Sequence, residues 1–289
     1  MSASPAPPAQ ESSLVQHLYT LKVLTMATVE QIDRDIAAIE EAVSAIATEL
    51  ESTYISYLTA LGQAVGKQLM LATYHLCTQG YPQQFVSLSL NERQQLQQKI
   101  RQLGQEAGER LLEHIETDDS LDFSFLQAEA LEPAKRERFT NPIELVKWQH
   151  LVERAIASTL KMLSSKSNSV LQQAGILPNK LPLSHLLEAA TSSLEATPEA
   201  INGPPNLLNL MVETDSEPES QESSVTQITA IHLRLVEIEF ADATVRAGRN
   251  QIRNLLGKVS KIEREYQKKQ RERDVAEAEA AWRSSWFEE

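Results

Sequence analysis

The side chains in this sequence best suited to metal or nucleophile chemistry are six histidines and one cysteine, and their spacing does not assemble them. His17, His75, His114, His150, His185 and His232 are scattered, with no HExxH pair and no second ligand at zinc spacing. His75 and Cys77 lie two residues apart, which on a helix turns them about 200° from one another and prevents a thiol–imidazole relay. Asp118, Asp119 and Asp122 beside His114 could attract a divalent cation, but the spacing and glycine of a calcium loop are absent. A solvated helix end is the better reading of that cluster. The nine glycines form neither GxGxxG nor GxxxxGK[ST], so no phosphate cradle is expected. The sequence therefore predicts no catalytic residue, no metal ligand and no cofactor, and a chain that is not an enzyme.

Binding chemistry is better represented. Between Arg246 and Arg273 stand ten Lys or Arg against three Glu, in a chain whose formal charge is −13. Lys261, Arg264, Lys268 and Arg271 share one face of a helix, suited to an acidic protein, an anionic membrane or nucleic acid. The same face could instead stay solvated or pair with acidic segments of this chain. Few aromatics interleave with these cations, so base stacking is not indicated. Further on, Trp282 and Trp286 stand at i, i+4 with Phe287 beside them, and aromatic side chains of this type anchor many protein interfaces. Packing back onto the bundle is their alternative. Seven residues, Trp282, Trp286, Phe287, Lys261, Arg264, Lys268 and Arg271, are thus the candidate partner-binding set.

Composition limits the rest. With 42% hydrophobic and 5% aromatic residues, long helices burying one stripe fit better than a thick globular core. The net negative charge disfavours sequence-independent nucleic-acid binding. A single cysteine excludes an intramolecular disulfide framework and fits a reducing compartment, so a cytoplasmic setting is expected. Residues 1–13 lack the basic start of a secretory signal and read as a disordered tail. Tyr54 to Cys77 is apolar enough to raise a membrane span, but Gln63, Lys67 and Gln68 in its middle favour burial within the protein.

Those groups need elements to hold them. Neither Gly nor Pro occurs from Ala9 to Leu61, and no Pro follows Pro218. In the first of these stretches Val29, Ile36, Val43, Leu50 and Tyr57 interleave with Ile32, Ile39 and Ile46, the three-four alternation of a heptad seam. In the second, Ile231, Ile238, Val245, Ile252, Val259 and Tyr266 recur every seven residues. Ile228, Leu235, Leu255 and Ile262 fill the neighbouring positions, and Asp242 and Arg249 interrupt them. Ser89 with Glu92, and Asn141 with Pro142 and Glu144, are helix-start signals. Gly80-Tyr81-Pro82 and Gly175 are stops. Gly62-xxx-Gly66 and Gly104-xxx-Gly108 permit close helix approach, or are tolerated surface glycines.

The expected fold is all-α, with two long heptad-patterned helices, antiparallel coiled-coil arms, flanking a central helical domain. Its parts are a tail (1–13), an N-terminal arm (14–79), a central domain broken by prolines after 178 (80–212), an acidic linker (213–224) and a C-terminal arm with an aromatic end (225–289). Each arm would reach roughly 95 Å if helical throughout.

The stretch from Ile231 through Arg249-Asn250-Gln251-Ile252-Arg253 and Tyr266-Gln267-Lys268-Lys269-Gln270 to Trp282 resembles the C-terminal part of uncharacterised coiled-coil proteins from cyanobacteria. The resemblance covers under a quarter of the chain. It implies a bacterial cytoplasmic setting and no activity. The expected function is a scaffold or adaptor with a protein partner. The heptad seams could also recruit a second copy. Peripheral contact with an anionic membrane, or nucleic-acid binding, through the basic face is the alternative.

Overall fold

The computed structural model describes residues 9–116, 139–178, 204–214 and 224–285. The fold is all-α with one β-hairpin. In chain order the elements are α1 (Ala9–His75), a π-helical turn (Leu76–Gly80), α2 (Pro82–Ser87), α3 (Leu90–Glu116), α4 (Pro142–Gln173), β1 (Leu207–Thr214), β2 (Ser224–Ile231), α5 (Leu235–Ala241) and α6 (Ala243–Ser285). Two compact units divide the chain. The described residues of Met1–Leu50, Leu131–Lys147 and Asn254–Glu289 make the first, and those of Glu51–Ala130 and Trp148–Arg253 the second. Helices α1 and α6 contribute to both.

In the first unit the seam residues meet as their periodicity requires. Ile32, Ile36, Tyr266 and Ala276 form a buried cluster, with Val29 and Ile39 packed against it. Ion pairs Glu49–Lys258, Asp35–Lys269 and Asp33–Arg273 join α1 to α6, and their numbers run in opposite directions, so the helices are antiparallel here. The apolar stripe of α1 shifts by one residue near its middle: Ile46 is only half-buried and Ala47 takes its place. An α-helix turns once per 3.6 residues, so a strict seven-residue repeat drifts around a straight helix. The structure follows that drift.

In the second unit α1 buries a broader stripe, Tyr54, Tyr57, Leu58, Leu61, Ala64, Val65, Leu69 and Ala72. This is the stretch whose apolarity raised a membrane span. One side of it is covered by protein while Ile55, Leu71 and Tyr74 stay exposed, and among the described residues no helix is long and apolar enough to cross a membrane. Glycines make one of these contacts. A Cβ on Gly62 would stand 2.9 Å from the Gly108 Cα, and one on Gly104 would stand 3.1 Å from the Gly66 Cα. The two Gly-xxx-Gly motifs of α1 and α3 therefore face one another, backbone against backbone.

The start and stop signals act as expected. The Ser89 N–H donates to Glu92 Oε2 (2.7 Å) and the Glu92 N–H to Ser89 Oγ (3.3 Å), a reciprocal cap on α3. Asn141 Oδ1 accepts from the Ile143 N–H at 2.9 Å. At the far end of α4, Gly175 adopts φ +74°, the Ile176 N–H reaches the Leu171 carbonyl, and the Gly175 N–H reaches that of Gln172. This is a Schellman cap, with buried Leu171 and Ile176 as its apolar pair.

The hairpin corrects the sequence reading. Val225 to Ile231, expected as the start of the second arm, is strand β2, and the last residues of the expected central helical domain are β1. The strands pair antiparallel, from Leu207 opposite Ile231 to Thr214 opposite Ser224. Ile228 and Ile231 fall three apart, as on a helix face, but the run Val-Thr-Gln-Ile-Thr-Ala-Ile is rich in β-branched residues that prefer a pleated surface. Residues 215–223, most of the expected acidic linker, lie outside the described residues. Helical structure in the second arm then begins with short α5 and breaks at Asp242. There Asp242 Oδ1 accepts from the N–H groups of Thr244 and Val245 (2.9 and 3.3 Å) and caps α6. A polar break in the seam is thus a helix start. The arms are unequal: α6 has 43 residues and α1 has 67.

Candidate functional site: a buried arginine and an exposed basic face

The second polar break, Arg249, is the most heavily bonded side chain of the second unit. It lies one turn and a half into α6, next to Gly248, whose missing side chain lets the helix approach Tyr57; a Cβ there would meet the Tyr57 ring at 3.2 Å. Arg249 is 9% exposed. Its Nε donates to Glu239 Oε1 (2.6 Å), its Nη1 to Glu153 Oε1 (2.5 Å) and its Nη2 to the Tyr57 hydroxyl (2.7 Å). The Tyr57 hydroxyl donates in turn to Glu239 Oε1 (2.6 Å), and the Tyr54 hydroxyl to Glu153 Oε1 (2.7 Å). Gln149 Nε2 reaches the Tyr54 oxygen at 3.4 Å. The guanidinium also lies 4.6 Å from the centre of the Tyr57 ring, and Tyr54 stacks edge-on to Trp148 at 5.5 Å. Four elements, α1, α4, α5 and α6, meet on this one cation.

Its electrostatics favour permanence over chemistry. Burial works against the Arg249 charge, but the hydrogen bond to Glu153 and the charges of its neighbours outweigh it and hold its pKa above the ordinary value. Burial, then the hydrogen bond to Glu153, raises the Tyr54 phenol; burial, against the opposing Arg249 charge, raises that of Tyr57. Both phenols therefore remain neutral donors at any physiological pH. Each strong donor already has an acceptor within the cluster. What it does is fix the start of α6 against its three neighbours. One guanidinium, itself buried, facing two carboxylates tolerates few alternative arrangements.

Sequence reasoning marked Arg249 as an interruption of the seam and one of ten basic residues, placed Tyr57 in the seam and Tyr54 in an apolar stretch, and missed Glu153, Glu239 and the bonding of the two hydroxyls. One signal was available: Tyr rather than Phe at two positions of a fully apolar stripe implies buried hydroxyls in need of partners.

The partner-binding residues named from sequence fall elsewhere. Lys261, Arg264, Lys268 and Arg271 are all exposed on α6, on the face turned away from α1. Lys268 makes a loose 3.8 Å pair with Glu272, and Arg264 Nε donates to the Ser260 carbonyl. Among the described residues, no ion pair involves Lys261, Arg264 or Arg271. Trp282 lies further along that face at 67% exposure and, with Val275, Ala278 and Glu279, lines a shallow surface groove of about 440 Å³. Trp286 and Phe287 lie outside the described residues. So do Asp118, Asp119 and Asp122. Cys77 is buried, and burial pushes its thiol up to about 11, so it is protonated and unreactive at neutral pH. A patch not foreseen from sequence lies on α5, where Val236 and Phe240, one turn apart, both face solvent.

Comparison with known proteins gives no further identification: no family model matches the sequence, and neither a curated protein nor a solved structure matches it.

Proposed function

We propose that this chain is a non-enzymatic scaffold or adaptor of the cytoplasm, in which α1 and α6 pair as coiled-coil arms and a partner protein docks on the outer face of α6. The observation that carries this reading is the sorting of cations along one helix. Lys258, Lys269 and Arg273 pair with acids of α1, and Arg249 is consumed in the buried network. Lys261, Arg264, Lys268 and Arg271 are exposed and pair with no acid of α1 among the described residues, Lys268 meeting only Glu272 of its own helix, and Val275 and Trp282 follow along the same face. A stripe that passes from basic to apolar suits an acidic surface with an apolar pocket beyond it. Such an interface takes its anchoring from the aromatic residue and its steering from the charges.

The test is affinity capture with the full chain and with the variant K261E/R264E/K268E/R271E, alongside W282A. The reading expects one defined set of proteins to be retained by the natural chain and lost from both variants. Identical sets in all three would sink it. The same stripe supports the alternative of peripheral contact with an anionic membrane or nucleic acid. Retention on anionic vesicles or DNA at low salt, falling steeply as salt rises and absent in the four-fold variant, would replace the first reading with this one.

A further inference from the structure

Helix α6 carries a second heptad line on the side away from its seam. In the first unit the seam runs through Val259, Ile262, Tyr266 and Ala276, buried or half-buried. Two residues further on from these, about 200° around the helix, stand Lys261, Arg264, Lys268 and Ala278. Arg271, Val275 and Trp282 complete the same three-four alternation. All seven are exposed. None is an acid, although six acids stand elsewhere between residues 261 and 282. Cations occupy the first half of the line and apolar residues the second. The apolar half also has a particular shape. Val275, Ala278, Glu279 and Trp282 line the groove of about 440 Å³. They stand at i, i+3, i+4 and i+7, the four-residue diamond that receives one side chain of a facing helix in knobs-into-holes packing.

We propose that this line docks an acidic amphipathic helix of a partner protein. The helix lies along α6, its carboxylates meet Lys261, Arg264, Lys268 and Arg271, and one of its apolar side chains enters the diamond. The inference rests on the reading of α6 as the docking face and names the occupant. Cations three and four residues apart repel one another on a helix, and among the described residues only Lys268 of the four pairs with an acid, Glu272 at 3.8 Å. A second helix with acids at the same spacing keeps register with all four, because both rise about 1.5 Å per residue. An anionic membrane suits the line less well. A helix lying in a membrane surface sets its apolar residues along one face and its cations on another, whereas here both share one stripe, one after the other. Nor does a second copy of α1 offer the complement. Its line opposite the seam, Gln31, Arg34, Ala38 and Glu41, sets one acid against one cation.

The test uses the full chain and two labelled synthetic heptad peptides. One has Glu and the other Lys at the seam positions facing the cations; both have Leu where they face Val275, Ala278 and Trp282. Fluorescence anisotropy should show the Glu peptide bound and the Lys peptide free. The K261E/R264E/K268E/R271E variant should reverse that preference, each change being about tenfold or more. Ala278→Phe fills the diamond without altering charge and should weaken the Glu peptide about tenfold. A membrane would instead gain from the added apolar surface. A Glu peptide interrupted by proline should bind about tenfold more weakly than the helical one. This peptide and Ala278→Phe keep the test decisive even where the four-fold variant does not fold. No binding of the Glu peptide, equal binding of its interrupted form, or an Ala278→Phe chain that binds it unchanged would each overturn the proposal. So would retention on phosphatidylserine vesicles or duplex DNA that the Glu peptide does not displace. Should cell proteins still be captured by the natural chain and lost from the four-fold variant while the Glu peptide fails, docking on α6 stands and only its helical occupant falls.

Discussion

Arg249 and Arg273 stand on the same helix, carry the same charge and each bind acids, yet they belong to opposite physical regimes. Arg249 is surrounded by Tyr57, Glu153 and Glu239 and has little water near it. Arg273 pairs with Asp33 at 3.9 Å and Glu277 at 3.3 Å while remaining accessible. Water screens the second arrangement and replaces its partners at small cost; in the first nothing else can satisfy the groups. The buried set therefore specifies one position for the start of α6. The exposed pairs bias the order in which α1 and α6 run, without locking it.

That contrast can be broken by substitution. The largest effect is expected from Arg249→Met, which leaves the buried Glu239 and the half-buried Glu153 without their cation; urea unfolding should show a loss of about 3 kcal/mol or more. Should the loss stay under about 1 kcal/mol, Arg249 would be behaving as a surface pair and the distinction would collapse. Gly62→Ala comes next, because the new methyl group meets backbone at Gly108; about 1–3 kcal/mol is expected from the shift of two helices. Its control is Gly257→Ala, where the Cβ meets open space and helix propensity should add up to about 1 kcal/mol. Tyr57→Phe removes a donor to Glu239 and an acceptor for Arg249 while keeping the ring; about 1–2 kcal/mol is expected, with the cation over the ring retained.

The smallest effect belongs to Asp35. Hydrogen bonds from Lys269 and then Gln31 hold its carboxyl below the usual range. A lowered native pKa means the contribution is fully present above the ordinary carboxylate pKa and disappears as pH falls through the native value. Thermal midpoints of the natural chain and of Asp35→Asn, compared across that acidic window, should converge toward its low end. Added salt should also narrow the gap. A difference that persists below the window would show that Asp35 acts by packing.

Helix starts and stops were legible because each depends on a few neighbouring residues. Ser89 with Glu92, Asn141 before Pro142, and Gly175 act within one turn of chain. The hairpin was less legible. A run such as Leu207 to Val212 serves a strand or a buried helix equally well, and pairing with residues some twenty positions away decides between them. The glycine motifs had the right spacing, but their meaning depended on whether another glycine faced them. Asp242 and Arg249 looked alike as polar breaks in a seam; one caps a helix and the other joins four elements.

The sequence by itself determined that long helices exist, where α3 and α4 are capped, and that Lys261, Arg264, Lys268 and Arg271 share a face. These follow from local propensity and from periodicity, which are properties of a single segment. The tertiary structure decided which cations of α6 find acids of α1 and which do not, and that Glu153 and Glu239 meet at Arg249. It also decided that Tyr81 and Asn168 bond the backbone of Thr229 and Ile231 on the outer side of β2. Those outcomes depend on residues brought together from distant parts of the chain, where burial makes the same charge or amide worth far more than it is in water.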